Sequence, residues 1–253
     1  MTTRRQLLAG AAGLSLAAAC GRGKGPITYG GFRSANMNRA TIGWALYKPV
    51  PGPLPLLLVL HGKGGDHTST FAELHLDRYL KASGQRFAIA SVDGGKDSYY
   101  HPRRNGLKPQ RMITDELLPV LARHGVRTDR FAVGGWSMGG YGALLLAELL
   151  GPDRIPVVAV DSPALYLSAG STAEGAFDSA EDFHRHDVLR FTSLLTQPVR
   201  VTCGLSDSFI SGSRRLVQLD PRVQHDFRPG AHDMDFWRAS APKQLAFVGA
   251  HLS

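Results

Sequence analysis

Gly135-Trp136-Ser137-Met138-Gly139 is the stretch of this 253-residue chain best suited to chemistry. A short apolar run, 131–134, leads into it, and an apolar, helix-forming run follows from Gly140. Glycines two before and two after a serine, between a strand and a helix, give the spacing of a strained turn that lifts a hydroxyl above a sheet edge. The flanking positions must lack side chains because neighbouring backbone passes too close. The following helix aims its free N–H groups at the serine, where they can hold an oxyanion. The chemistry implied is nucleophilic attack by Ser137, with the Met138 N–H as one oxyanion donor.

A serine hydroxyl is a poor nucleophile until a base takes its proton and an acid orients that base. In sites of this kind the acid and then the histidine follow the serine along the chain. Five histidines lie downstream: His184, His186, His225, His232 and His251. His225 falls inside a strand-like run, His251 in the terminal tail, and His184 and His186 in an irregular stretch between two late strands. His232, in Arg228-Pro229-Gly230-Ala231-His232-Asp233, follows the last strand and precedes the last helix, where the base belongs. Two acids compete. Asp207 follows the 199–203 run and Asp161 ends the 157–160 run. The loop after the penultimate strand faces the histidine loop, which favours Asp207. Asp233 and Asp235 fit better as first-turn residues of the last helix.

The second oxyanion donor is expected from His61-Gly62-Lys63-Gly64-Gly65, with the Lys63 N–H first and Gly62 next. Tyr99, Tyr100 and Trp136 either line the substrate pocket or fill the core. The region 164–195, rich in Ala, Ser, Gly and charge, is either a short lid or a surface excursion.

These residues need a scaffold. Thr41–Tyr47 alternates like a half-exposed, edge-side strand. Leu56–Leu60 is a continuous apolar run that reads as a strand buried on both faces, and runs near 87–92, 131–134, 157–160, 199–203 and 223–227 share that character. Helical candidates lie near 70–83, 110–124, 138–150, 212–219 and 233–250. Alternating strands and helices imply an α/β fold, a mostly parallel central sheet with helices on both faces. Sites in such sheets lie outside the carboxyl ends of the strands.

Bulk properties narrow the function further. At 43% hydrophobic and 20% charged, 253 residues supply one good core. The net charge of +8 does not point to nucleic acid. Four of its cations, Arg4, Arg5, Arg22 and Lys24, sit in the first 24 residues, and no basic run is interleaved with aromatics. Two cysteines, Cys20 and Cys203, exclude a disulfide framework. No zinc ligand set is present; His184-Arg185-His186-Asp187 reads as solvated surface. No metal or organic cofactor is called for.

Residues 1–20 read as an export signal: a basic start, about a dozen moderately apolar residues and a small-residue end. Arg4-Arg5 followed by Gln6-Leu7-Leu8 resembles a twin-arginine signal. Leu16-Ala17-Ala18-Ala19-Cys20 resembles a lipobox with Ala17 in place of the usual leucine, which makes Cys20 a candidate lipidation site. Residues 21–26 form a flexible tether, and 27–253 form the catalytic domain. An exported protein is expected, secreted or held at the cell surface by a lipid, and acting as a monomer on a small-molecule or lipid ester.

Leu60-His61-Gly62, Asp93-Gly94-Gly95 with Ser98-Tyr99-Tyr100, the run from Gly135 to Gly142, and Gly230-Ala231-His232-Asp233 with Phe236-Trp237-Arg238 together resemble the esterase D/antigen 85 branch of the α/β hydrolases. The resemblance spans roughly residues 40 to 250. It implies the α/β-hydrolase fold without a large cap, and a triad of Ser137, Asp207 and His232 with Met138 and Lys63 N–H groups as the oxyanion hole. Members of the branch are carboxylesterases, S-formylglutathione hydrolases, feruloyl esterases or mycolyltransferases. The mycolyltransferases carry an acid and an arginine soon after the oxyanion loop. Lys63-Gly64-Gly65-Asp66-His67-Thr68 has no such arginine, so ester hydrolysis is expected over acyl transfer. A catalytically idle surface binding protein on the same scaffold is the reading from another class.

Overall fold

Residues 27–252 are described by a computed structural model. The leader, the tether and Cys20 lie outside the described residues. Eight strands form one sheet: β1 (Ile27–Arg33), β2 (Thr41–Tyr47), β3 (Leu56–Leu60), β4 (Ala88–Val92), β5 (Ala132–Trp136), β6 (Val158–Asp161), β7 (Val199–Gly204) and β8 (Gln224–Arg228). Their spatial order is β1-β2-β4-β3-β5-β6-β7-β8. β1 and β2 run antiparallel to their neighbours, and every pairing from β4 to β8 is parallel. The helices are α1 (Ser69–Ala72), α2 (Leu76–Ser83), α3 (Pro109–Arg111), α4 (Leu118–Arg123), α5 (Met138–Arg154), α6 (Ala180–His186), α7 (Ile210–Leu219) and α8 (Met234–His251). This is the α/β-hydrolase fold.

The continuous apolar runs follow from burial on both faces. In β3, Leu56, Leu58 and Leu60 pack with α4, α5 and α7. Leu57 and Val59 point the other way, into the cluster that α2 and α8 close with Leu80, Trp237 and Leu245. A strand of period two sandwiched between two helical layers has no polar face to present.

Several expectations are corrected. β2 is edge-side but not half-exposed: β1, which carries no apolar alternation, covers it with a seven-residue register from Ile27–Tyr47 to Arg33–Thr41, and only Thr41 of β2 is exposed. β8 is the exposed edge on the other side, not a strand buried on both faces. The helix expected over 70–83 breaks into α1 and α2 because His75 takes a left-handed conformation, φ 55°. The helix over 110–124 passes through a π-helical turn, Met112–Leu117, before α4. Pro119 sits at the junction and has no N–H to continue the regular ladder. Gly151, at φ 71°, ends the regular part of α5 close to the expected residue 150.

Candidate active site

Ser137 stands between β5 and α5 with φ 54° and ψ −122°, a conformation that costs a non-glycine residue about 1–3 kcal/mol. The surroundings hold it there. Its N–H donates to Asp161 O at 3.0 Å, and its carbonyl accepts from Tyr141 N and Ala164 N, both at 3.0 Å. The flanking glycines are a steric necessity. A Cβ on Gly135 would lie 2.6 Å from Leu60 O, and one on Gly139 would collide with that same carbonyl. The end of β3 therefore crosses directly against the turn.

Two loops bring the acid and the histidine together. After β7, Leu205 N donates to Arg228 O at 2.9 Å and Ser206 N to Gly230 O at 3.0 Å. Gly204 permits this approach, since any Cβ there would strike the Gly230 carbonyl. Asp207 and His232 thereby face each other. His232 Nδ1 lies 2.9 Å from Asp207 Oδ2 and 3.1 Å from Oδ1, and His232 Nε2 lies 2.9 Å from Ser137 Oγ. The carboxylate accepts at Nδ1, so that nitrogen carries the proton and Nε2 is free to accept from the serine; this tautomer follows from the hydrogen-bond pattern. Phe209 N donates to Asp207 Oδ1 at 2.8 Å. Burial opposes ionisation of Asp207. Hydrogen bonds from His232, Ser162 and the Phe209 N–H outweigh it and hold the carboxyl below the usual carboxylate range. The His232 ring is walled by Trp237 at 4.9 Å and Phe209 at 5.2 Å between ring centroids, yet its side chain stays 28% exposed. Asp233 caps α8, its carboxylate accepting from Phe236 N at 2.8 Å.

Asp161, the competing acid, is committed elsewhere. Gln244 Nε2 on α8 donates to its carboxylate at 3.0 Å, and burial pushes its pKa up to about 7. Its backbone carbonyl, not its side chain, touches the serine.

The loop after β3 lies over Ser137. A Cβ on Gly62 would sit 3.5 Å from Ser137 Cβ and 2.8 Å from Trp136 Nε1. His61 anchors this loop: its Nε2 accepts from Gly94 N at 3.0 Å, which leaves Nδ1 to donate to Gly62 O at 2.8 Å. Burial keeps the imidazole neutral by lowering its pKa. Gly64 N and Gly65 N donate to Lys96 O and Gly62 O. Among the described residues the Lys63 N–H donates to no protein acceptor. The Met138 N–H is the first of α5, one of the donors that a helix leaves without an internal partner.

Tyr99, Tyr100 and Trp136 are all buried. The Tyr100 hydroxyl accepts from His61 N at 3.1 Å, and Tyr99 shares a 2.7 Å hydrogen bond with the Tyr166 hydroxyl. Trp136 packs beneath Gly62 and near Trp237. Region 164–195 packs against the body of the domain. Ala176, Phe183 and Val188 are buried, Arg103 pairs with Asp178 at 3.1 Å, and His101 Nε2 bonds Ala176 O at 2.9 Å. His186, expected on the surface, stacks on His101 with centroids 4.5 Å apart. His101, Asp182 and His186 form one His/Asp group, and Asp66, His67 and Asp93 another. In both, ring nitrogens already face internal partners, as His67 Nδ1 does Asp93 at 2.7 Å. Cys203 is buried and has no disulfide partner among the described residues. Phe209 and Ser162 were not singled out in the sequence. No short motif marks Phe209 or Ser162, whose environments arise only when β6, β7 and α8 come together.

Fold and geometry define an α/β-hydrolase site. The family described as "Putative esterase" matches residues 34–248, and the chain belongs to that family. Solved structures share its architecture. A ferulic acid esterase is 20% identical with a TM-score of 0.78, covering 88% of this chain and 98% of its own. An S-formylglutathione hydrolase from Agrobacterium tumefaciens is 17% identical with a TM-score of 0.75, covering 90% and 95%. MPT51 of Mycobacterium tuberculosis is 19% identical with a TM-score of 0.70, covering 87% and 96%. These agree with the branch that the sequence resembles.

Proposed function

We propose that the protein is a serine carboxylesterase in which Ser137 is the nucleophile, His232 the general base and acid, and Asp207 the residue that orients and stabilises the imidazolium. The unbroken line from Asp207 Oδ2 through His232 to Ser137 Oγ, with both links at 2.9 Å, carries this reading. His232 Nε2 takes the hydroxyl proton as Ser137 Oγ bonds to the ester carbonyl carbon. The resulting oxyanion is held by the Met138 and Lys63 N–H groups. Collapse breaks the carbon–alcohol oxygen bond, and the proton passes from Nε2 to the leaving oxygen. Water then repeats the sequence on the acyl-enzyme. The partial exposure of His232 favours water as the acceptor over a sequestered alcohol. Hydrolysis of p-nitrophenyl acetate by the full domain, abolished in Ser137→Ala, tests the assignment; equal turnover by that variant overturns it.

The reading extends to location. An exported enzyme lipidated at Cys20 would act at the cell surface, and labelling with a radioactive fatty acid should then be lost in Cys20→Ser. Label retained in that variant rules out Cys20 as the attachment point.

A further inference from the structure

A groove of about 410 Å³ lies along Phe209, the residue whose ring packs on His232 of the candidate triad. Its walls are the segment that begins at Ala164, whose N–H donates to Ser137 O, and the turn that enters α7. Leu165, Tyr166, Leu167 and Phe209 line it beside Ser168, Ser171, Ser208 and Ser211, and among the described residues no carboxylate, ammonium, guanidinium or imidazole group does. Phe209 is shared with the triad: its N–H holds Asp207 and its ring lies against His232. Tyr166 and Phe209 meet edge to face at 5.5 Å, and the Tyr166 hydroxyl is tied to Tyr99. The walls are also fixed by Gly212, which lets α7 press on the Leu165 carbonyl where any Cβ would collide. With liquid water occupying about 30 Å³ per molecule, the groove holds a moiety of roughly a dozen heavy atoms.

We infer that this groove binds the leaving alcohol of the ester, and that the alcohol is uncharged and alkyl or aryl. The inference rests on the triad assignment. When the carbon–alcohol oxygen bond breaks, its electron pair goes to the alcohol oxygen and the His232 Nε2 proton follows, while the acyl carbon stays on Ser137 Oγ. The alcohol oxygen must therefore lie within reach of His232, and the groove beside His232 receives what that oxygen carries. Apolar and aromatic walls stabilise alkyl and aryl groups by burial. A charged alcohol would be desolvated there without a partner.

Binding to Ser137→Ala, read by saturation-transfer NMR, separates this subsite from catalysis. A fully buried methylene is worth about fourfold in affinity, and roughly twofold in an open groove. Hexyl acetate should therefore bind about tenfold or more tighter than ethyl acetate. Ethyl hexanoate, with the same carbons on the acyl side, should gain less than threefold. Leu167, at 59% exposure, can be changed without disturbing the core. Leu167→Glu in the same background should weaken hexyl acetate and strengthen acetylcholine, whose alcohol is cationic. Affinity that ignores alcohol length, or that follows the acyl chain instead, overturns the inference. Wild-type turnover of p-nitrophenyl acetate is read separately. Failure there with the binding pattern intact would overturn the hydrolase reading and with it the leaving-alcohol role, leaving only a groove that binds alkyl groups.

Discussion

Replacing Asp207 by Asn probes the acid assignment most sharply, because the site gives the amide no good orientation. Asp207 Oδ2 accepts the His232 Nδ1 proton at 2.9 Å, while Oδ1 accepts the Phe209 N–H at 2.8 Å. With the Asn nitrogen at the first position, it donates to Nδ1 and forces the proton onto Nε2, which then cannot take the serine proton. With the nitrogen at the second position, two donors face each other at the Phe209 N–H. A buried unsatisfied donor costs about 1–3 kcal/mol, so the competent tautomer is depressed by roughly 5- to 150-fold. Loss of the charge that stabilises the imidazolium multiplies this; a comparable Asp→Asn change in a serine protease lowers kcat by about 10⁴. The expected fall in kcat/KM for p-nitrophenyl acetate is about 10³- to 10⁴-fold. Thermal unfolding of the variant should show that it is still folded. Asp161→Asn is the control, with an expected loss below tenfold because Gln244 can still bond the amide oxygen. A loss below tenfold for Asp207→Asn, or a larger one for Asp161→Asn, would refute the assignment.

The pKa of Asp161, raised to about 7, gives a stability signature. The folded state holds that proton above the unfolded carboxylate range, so its contribution favours folding at low pH and is lost as pH rises from about 4 through 7. Its upper bound is roughly 4 kcal/mol. Asp161→Asn should therefore gain Tm relative to wild type between pH 5 and pH 8, and a pH-independent difference contradicts the shift. Asp207 has the opposite sign: its contribution is present above the unfolded carboxylate pKa and lost as pH falls through the lower folded value. Tyr100→Phe leaves the buried His61 N–H without its acceptor, so Tm should drop by an amount corresponding to about 1–3 kcal/mol, with kcat falling more than KM rises. Gly139→Ala forces a methyl into the Leu60 carbonyl, and should yield insoluble protein or at least a hundredfold loss of activity. Normal activity in that variant would mean the turn is not held as described.

The turn that carries Ser137 was legible because Gly135 and Gly139 are required by contact with a neighbouring strand, a constraint that leaves a mark at fixed spacing. The parallel strands were legible for a similar reason: helices cover both faces, so β3 is apolar throughout and β4 is apolar but for Ser91, whose hydroxyl donates to the His67 carbonyl. His232 could be found by chain order, and Asp207 by the neighbourhood of consecutive parallel strands. β1 was not legible, since an edge strand held by backbone pairing to β2 needs no apolar pattern. The break at His75 depends on a left-handed conformation in a residue with no strong preference for it. Tyr100 and Trp136 were recognised as aromatic neighbours of the site, but whether such a ring faces substrate or core depends on tertiary packing. The groove beside His232 has walls from segments about 40 residues apart, which no local motif records.

Covalent capture of the nucleophile tests the central claim most directly. The protein would be treated with one equivalent of diethyl p-nitrophenyl phosphate, then analysed by intact mass and peptide mapping alongside residual esterase activity. A single diethylphosphoryl adduct on the peptide bearing Ser137, formed in step with loss of activity and absent from Ser137→Ala, is the expected result. Its formation should also be slowed at least a hundredfold in His232→Ala. An adduct on another residue, or full activity in protein labelled at Ser137, would contradict the assignment of Ser137 as the nucleophile.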